Sequence, residues 1–204
     1  GIIGLGAIAT QFAKGFEGLS SSKLLAIASK NTDKLSKFKE NLNISSDYCF
    51  NNYQALLKHK EIDIIYIALP TSLHQEWIIK CLDEGKKVLV EKPATMNAIE
   101  IKEIKNKYPK EKIFINEAFM YMYHPQIIKV IELINQGEIG ELISMDSNFG
   151  INILTKKNFF GFKKTKKLNT KNRIFSRELG GGVILDIGCY PVSLSTLIAS
   201  QISN

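Results

Sequence analysis

Residues 1–9 read GIIGLGAIA, and this stretch decides the fold. It is typical of a buried strand that runs into the pattern G-x-G-x-x-A at the start of a helix. Gly4 allows a tight turn, Gly6 lets the backbone approach a ligand, and Ala9 lets the helix pack closely on the strand. Backbone N–H groups at such a helix N-terminus bind a pyrophosphate. A dinucleotide site is therefore predicted, with a purely structural glycine turn as the alternative; its residues are Gly4, Gly6, Ala7, Ile8 and Ala9.

Apolar runs and helical patterns alternate from this turn through residue 116. The pattern predicts strands at 2–4, 24–29, 62–69, 87–91 and 113–116, and helices at 9–17, 33–41, 53–59, 73–84 and 98–108. Strands that are buried on both faces and joined by helices form a doubly wound parallel sheet. The fold class is therefore α/β, with a dinucleotide-binding (Rossmann) domain over residues 1–117. Ligands bind such sheets at the carboxyl ends of the strands.

The rhythm changes after Glu117. We expect a helix at 126–135, a half-exposed strand at 141–149, a lysine-rich loop, and an apolar helix at 183–199 that follows three glycines. One strand and two helices do not bury a sheet face. Residues 118–204 are therefore expected to form a second domain, for substrate and dimerisation, that is truncated at its C-terminus.

The net charge of +7 comes from one segment. Without the nine cations of residues 156–177, the remaining Lys, Arg, Asp and Glu residues carry a small negative net charge. The segment has no carboxylate, and a solvated loop or an anionic-ligand rim accounts for it. No nucleic-acid partner is expected, although Phe159, Phe160 and Phe162 in the same segment keep an RNA-binding module as an alternative.

The cysteines and the apolar runs indicate in which cellular environment the chain is expected. Cys49, Cys81 and Cys189 lie far apart without a C-x-x-C pattern, which predicts neither a disulfide framework nor a metal site. No apolar run approaches the roughly 20 residues that span a bilayer, so no membrane partner is expected. A reducing, cytoplasmic localisation fits these features best.

Four further motifs stand at predicted strand ends or in the second domain. They are LPTSLH at 69–74, EKP at 91–93, EAFMYMYHPQ at 117–126 and GGGVILDIGCYP at 180–191. Together with the glycine turn they resemble the Gfo/Idh/MocA family of NAD(P)-dependent oxidoreductases, most closely the branch of dimeric dihydrodiol dehydrogenase and D-xylose 1-dehydrogenase. The resemblance covers essentially the whole chain. It implies a C-terminal α/β domain with an open, mostly antiparallel sheet, in proteins considerably longer than this one.

The resemblance makes Lys92 the catalytic lysine, with Glu91 orienting it or the cofactor. At a strand end an ammonium group hydrogen-bonds a reacting oxygen and favours its deprotonated form. Asp186 and Tyr190 are four residues apart, so a helix holds both on one face. Tyr190 stands where many family members have His, as in the dihydrodiol and xylose dehydrogenase branch.

A free phenol, with a pKa of ~10, is a poor base at neutral pH, but a nearby cation makes it a better one. A Lys92–Tyr190 pair would then take the hydroxyl proton while Asp186 orients the substrate or the tyrosine. The alternative for Asp186 is a charge that stabilises the helix dipole.

Cofactor preference is read from the end of the second strand, where NAD-selective sites place a carboxylate on the ribose 2′-OH. Ser29 and Lys30 stand there instead, which predicts NADP over NAD. The resemblance also implies a cofactor-side role for Pro70, Thr71 and His74, with a polar residue that caps the edge of a pocket as the alternative for His74. Glu91 and Lys92 are expected to contact the cofactor as well. His124 and Arg173 are candidate substrate contacts, and a turn residue is the alternative for His124. Met122 stands where the family often has Arg.

The resemblance implies an oxidoreductase that moves a hydride between NADP(H), or NAD, and the CH–OH group of a sugar or cyclic diol. A homo-oligomer is expected for the full-length protein. The alternative is a catalytically inactive dinucleotide-binding fragment, or a binding protein of the same fold.

Overall fold

The computed structural model describes residues 1–157, 163–165 and 172–202. The chain divides into two compact units, Gly1–Ala118 and Phe119–Asn204. The first unit contains six strands and five helices among its regular elements. The strands are β1 (Ile2–Ile3), β2 (Ile27–Ala28), β3 (Cys49–Phe50), β4 (Ile64–Ile67), β5 (Lys87–Val90) and β6 (Ile115–Glu117); the helices are α1 (Ala7–Lys14), α2 (Thr32–Leu42), α3 (Tyr53–Leu57), α4 (His74–Asp83) and α5 (Ala98–Lys107).

All six strands pair in parallel in the order β3-β2-β1-β4-β5-β6. The order in which the chain adds strands to the sheet reverses at the boundary between β1 and β4. Ligands of such sheets bind at this boundary, outside the carboxyl ends of the strands. This order confirms the predicted doubly wound sheet. The prediction missed β3, because its two residues lie in the stretch SSDYCFNN, which contains no long apolar run.

The core of the first unit lies in two layers, one on each face of the sheet. Ile3, Ile65 and Val88 pack with apolar residues of α3, α4 and α5 on one face. Ile2 and Tyr66 pack with α1 and α2 on the other. Alternate residues of β1 and β4 therefore enter opposite layers, as the period of a strand requires.

Two helix boundaries in the first unit have a local cause. Asn31 caps α2, since its side-chain oxygen accepts a hydrogen bond from the Lys34 N–H at 2.9 Å. Gly85 follows α4 with a φ of +69°, a conformation that glycine adopts without steric cost.

The second unit has fewer paired elements. It contains α6 (Pro125–Asn135), β7 (Thr155–Lys157), β8 (Lys163–Thr165), a π-helical turn (Ile184–Gly188) and α7 (Cys189–Ile202). Only β7 and β8, which are antiparallel, pair in the part of this unit that the structure describes. The apolar helix expected at 183–199 is thus a π-helical turn followed by a longer α-helix.

Two expectations for the second unit are wrong. Residues 141–149 do not form the predicted strand, since no described strand lies beside them to complete a ladder, and Ile143 is 93% exposed. The segment expected as a lysine-rich loop contains the antiparallel strands β7 and β8, while residues 158–162 and 166–171 of that segment lie outside the described residues.

One helical stretch of the described chain, Arg177–Ile202, is long and apolar enough to cross a membrane by length and composition. The expectation that no such segment exists is therefore wrong. The same length and composition also occur in core helices of water-soluble proteins, so the stretch by itself assigns no membrane role.

Candidate functional site

The turn between β1 and α1 depends on Gly4. Its φ is +89°, and a Cβ at this position would lie 2.6 Å from the Ala68 carbonyl oxygen. Gly4 also donates its N–H to the Ala28 oxygen at 3.2 Å. Any side chain here would collide with the loop after β4, so the turn requires glycine.

The N-terminus of α1 faces open space. Gly6 precedes the helix, and a Cβ on it would meet no atom within 4 Å. No side chain caps this end of the helix, and its first turn holds no acidic residue. Ala7 and Ile8 are exposed, whereas Ala9 is fully buried against the sheet. Uncapped N–H groups and the positive end of the helix dipole fit a pyrophosphate, so the predicted residues form one cradle.

The end of β2 carries a cation and no carboxylate. Ser29 is buried, and its hydroxyl accepts the Asn31 N–H at 3.1 Å. Lys30 is exposed, with its ammonium 5.8 Å from the centre of the Tyr53 ring. The nearest following acid, Asp33, lies in the first turn of α2. The residues predicted to set the cofactor preference therefore stand at a strand end in the same sheet as the cradle.

His74 begins α4 and is 1% exposed. Its Nε2 lies 2.9 Å from the Leu69 oxygen, and its Nδ1 lies 2.9 Å from the Pro93 oxygen. A side chain this buried offers almost no surface to a cofactor. The structure places His74 between two loop backbones, and its cofactor-side role stays a prediction. Pro70 and Thr71 stand in the loop before it, where Thr71 is buried and Pro70 half-buried.

Lys92 follows β5, is half-buried, and is joined to Pro93 by a cis peptide bond. The neighbouring Glu91 carboxylate accepts a hydrogen bond from the Tyr66 hydroxyl of β4. Tyr66 is buried and stacks on Phe12 of α1 at a centroid distance of 3.9 Å. Burial and the Glu91 carboxylate raise the pKa of Tyr66 far above its ordinary value, so it remains a donor. Glu91 is thus linked through Tyr66 and Phe12 to α1, the helix that follows the glycine turn.

Three residues that sequence reasoning gave no role also hold this loop. The Ala94 N–H donates to Glu117 at 2.8 Å, and the Met96 N–H donates to Glu100 at 2.9 Å. Tyr66 is the third. Two features of the sequence indicate these residues: Tyr66 is a polar residue inside an apolar strand, and Glu117 stands at the end of another strand. Buried polar groups need hydrogen-bond partners, so each predicts a contact.

In the second unit, Tyr190 lies among aromatic rings. Ring centres of Phe149, Phe119 and Tyr121 lie 5.1, 5.6 and 6.1 Å from that of Tyr190. The Tyr121 hydroxyl is 2.7 Å from the Ser193 hydroxyl on α7. These contacts fix the Tyr190 ring in an apolar setting.

Asp186 forms an ion pair with Arg173, with an Nη2 to Oδ1 distance of 3.4 Å. The three glycines explain the approach of these residues. A Cβ on Gly181 would lie 2.3 Å from the Arg173 carbonyl oxygen, and Gly182 donates its N–H to the Ile174 oxygen at 2.9 Å. The glycine run therefore holds the backbone around Arg173 against the turn that carries Asp186.

His124 caps α6, since its Nδ1 accepts the Gln126 N–H at 3.2 Å. The side chain is exposed. This geometry supports the turn-residue alternative, and the substrate contact stays a prediction.

The described residues contain no group of three or more His, Cys, Asp or Glu side chains placed to hold a metal, and they form no disulfide bond.

Comparison with known proteins gives two family matches. Residues 1–117 match an oxidoreductase family with an NAD-binding Rossmann fold (Gfo/Idh/MocA), and residues 127–203 match the Gfo/Idh/MocA C-terminal domain. These matches cover most of both units.

Among curated relatives, trans-1,2-dihydrobenzene-1,2-diol dehydrogenase of Xenopus tropicalis is 31% identical over 97% of this chain and 56% of its own length. D-xylose 1-dehydrogenase (NADP(+)) 2 of Haloferax volcanii is 30% identical over 97% of this chain and 56% of its own length. A crystal structure of a 3-ketoreductase from Actinomadura kijaniata with NADP and TDP-benzene aligns with a TM-score of 0.73, 27% identity and coverage of 97% and 56%. The chain spans about half the length of these relatives.

Proposed function

Because the chain belongs to the Gfo/Idh/MocA family of NAD-binding oxidoreductases, we propose that it transfers a hydride between NADP(H) and the CH–OH group of a sugar or cyclic diol. The observation that carries the proposal is the position of Lys92. Lys92 follows β5, and the open glycine cradle follows β1, a parallel strand of the same sheet. A cation at this edge is suited to bind the oxygen of a substrate.

The residues of the cradle fit a dinucleotide. Gly4 and Gly6 would let the pyrophosphate reach the α1 N–H groups, and Lys30 would pair with a 2′-phosphate, since an ammonium favours a phosphate over a hydroxyl. The nicotinamide supplies the hydride acceptor or donor when bound. Dissociation constants for NADP and NAD, measured by titration, test this assignment.

Lys92 would donate a hydrogen bond to the reacting oxygen and stabilise negative charge there. Tyr190 would accept the hydroxyl proton during oxidation and return it during reduction. Asp186, oriented by Arg173, would position the substrate or the tyrosine. The aromatic rings around Tyr190 hold its ring in place.

The substrate class rests on the relatives. Their names specify a dihydrobenzenediol in one case and a xylose in another. Both compounds carry neighbouring hydroxyl groups on a small carbon framework. His124, which caps α6, is a further candidate contact.

We also propose that residues 119–204 belong to a C-terminal domain with an open, mostly antiparallel sheet, and that the full protein is a cytoplasmic homo-oligomer. The match over residues 127–203 supports the domain. Light scattering of the full-length protein, which should exceed the monomer mass, tests the oligomer.

Replacement of Lys92 by Met tests the catalytic proposal. Turnover of NADP with a panel of aldoses and vicinal diols should fall by about 10²–10³, because one hydrogen-bond donor to a developing negative oxygen contributes that much. Cofactor affinity should stay within about tenfold, since Lys92 is assigned to the substrate oxygen. The matched control is Lys87→Met, at the opposite end of the same strand.

Turnover that survives in the Lys92 variant would refute the role of the lysine. A wild-type protein that binds NADP but turns over no member of the panel would favour the inactive dinucleotide-binding alternative.

A further inference from the structure

The peptide group between Pro93 and Ala94 is held at both of its ends by side chains. Its carbonyl oxygen lies 2.9 Å from His74 Nδ1, and its N–H donates to Glu117 Oε1 at 2.8 Å. Only Pro93 stands between Lys92 and this peptide group. The backbone next to the candidate catalytic lysine is therefore fixed by two side chains that are distant in sequence.

The two side chains come from elements on either side of β5. His74 begins α4, and its second ring nitrogen lies 2.9 Å from the Leu69 oxygen in the loop after β4. Glu117 ends β6, where it pairs in register with Val90. The loop that carries Lys92 is thus tied to the ends of both neighbouring strands.

We propose that His74 and Glu117 are positioning residues for Lys92: by holding the Pro93–Ala94 peptide, they fix the direction in which the lysine side chain leaves the loop. This inference rests on the proposed function, in which Lys92 acts on the substrate oxygen. A displacement of about 1 Å in such a group costs about 10²-fold in rate. Neither residue touches the reacting atoms, and each acts through the backbone.

The chemistry of each contact defines the variants. His74→Phe keeps a ring of similar shape and removes both nitrogens. Glu117→Leu removes the acceptor of the Ala94 N–H, whereas Glu117→Gln keeps an acceptor oxygen without charge. Matched controls are His59→Phe and Glu61→Leu, which make the same changes before β4, at the other end of the strands.

The first readout is structural and needs no turnover. Hydrogen exchange at the Ala94 amide, followed by NMR, should be at least about tenfold faster in Glu117→Leu and near the wild-type rate in Glu117→Gln. Reductive ¹³C-methylation gives each lysine an NMR signal, and Lys92→Arg identifies that of Lys92. This signal should move toward those of exposed lysines in His74→Phe and Glu117→Leu, and in neither control.

The second readout is kinetic. His74→Phe and Glu117→Leu should lower kcat about 10- to 100-fold with an NADP dissociation constant within about threefold of wild type. Glu117→Gln should recover most of the loss, because an acceptor and not a charge is needed. If His74→Phe does not fold, the Leu and Gln variants of Glu117 decide the question.

A Lys92 signal that stays at its wild-type position in both His74→Phe and Glu117→Leu would overturn the inference. Failure of the proposed function is a separate outcome: there, Lys92→Met keeps its turnover, while the Lys92 signal and the Ala94 exchange still report whether the loop is held.

Discussion

Gly4 and Gly6 stand two residues apart in one turn and meet opposite surroundings. Gly4 has a positive φ and no room for a Cβ, whereas Gly6 has a φ of −98° and open space beside it. The first glycine is required by the fold, whereas the second is predicted to admit a ligand. At the scale of single residues, this separates stability from binding.

Replacement of each glycine by Ala should therefore give different results. Gly4→Ala should lower the free energy of unfolding by about 1–2 kcal/mol or more, because a left-handed conformation and a collision both penalise the methyl group. Gly6→Ala should leave the melting temperature unchanged and weaken NADP binding about tenfold, or about 1.4 kcal/mol. Thermal melts and cofactor titrations measure both, and an equal loss of stability in the two variants would contradict this assignment.

Lys30 should set the cofactor preference. We expect NADP to bind ten- to a hundredfold more tightly than NAD, equivalent to about 1.4–2.8 kcal/mol, and Lys30→Ala to remove most of that difference. Lys37→Ala, an exposed lysine on α2, is the matched control. If the Lys30 variant binds NADP as well as the wild type does, Lys30 is a solvated surface residue.

Contacts between residues that are close in sequence could be predicted, whereas contacts between residues that are distant in sequence could not. The glycine turn and the Asn31 cap depend on neighbours within a few positions, so local patterns predict them. The Glu117–Ala94 and Tyr66–Glu91 hydrogen bonds join residues 23 and 25 positions apart. No local pattern specifies such a partner, and the two backbone contacts of His74 were not predicted for the same reason.

At the scale of elements, prediction succeeded where a segment is apolar enough to be buried in the sheet. Strands β4 and β5 read as apolar runs and were found within their predicted limits. Residues 141–149 show the alternation of a strand, but a strand also needs a neighbour to receive its hydrogen bonds. The helix α4 illustrates how packing changes the chemistry of a side chain.

Cys81, on α4, is fully buried, and burial raises the pKa of its thiol from 9.0 to about 12. The unfolded chain therefore loses this proton first, so the associated stability is complete below about pH 9 and falls as the pH rises toward 12. The slope reaches about 1.4 kcal/mol per pH unit. Urea unfolding of wild type and Cys81→Ala between pH 8 and 11 should show a flatter alkaline decline in the variant. Parallel curves would contradict it.

At the scale of the whole molecule, the buried apolar residues are unevenly distributed. In the described part of the chain, all of them except Phe119 and Ile198 belong to the first unit. The second unit exposes apolar side chains, among them Ile143, Val183 and Ile184. Exposed apolar surface of this kind favours association.

The first unit should fold without the second. A fragment of residues 1–118 should unfold cooperatively and gain thermal stability from NADP, because it holds both its own core and the glycine cradle. Limited proteolysis of the intact chain should cut after residue 118 before it cuts within the sheet. A chain that resists digestion uniformly through its second unit would argue against this division.

The hydrogen bonds to the Pro93–Ala94 peptide involve only main-chain atoms of the loop. The identity of the side chain at position 92 does not enter them. This makes position 92 a natural place for protein engineering: a thiol, an imidazole or an unnatural amine could be installed there while the supporting backbone keeps its neighbours. The sheet would then serve as a fixed holder for exchangeable reactive groups beside a dinucleotide.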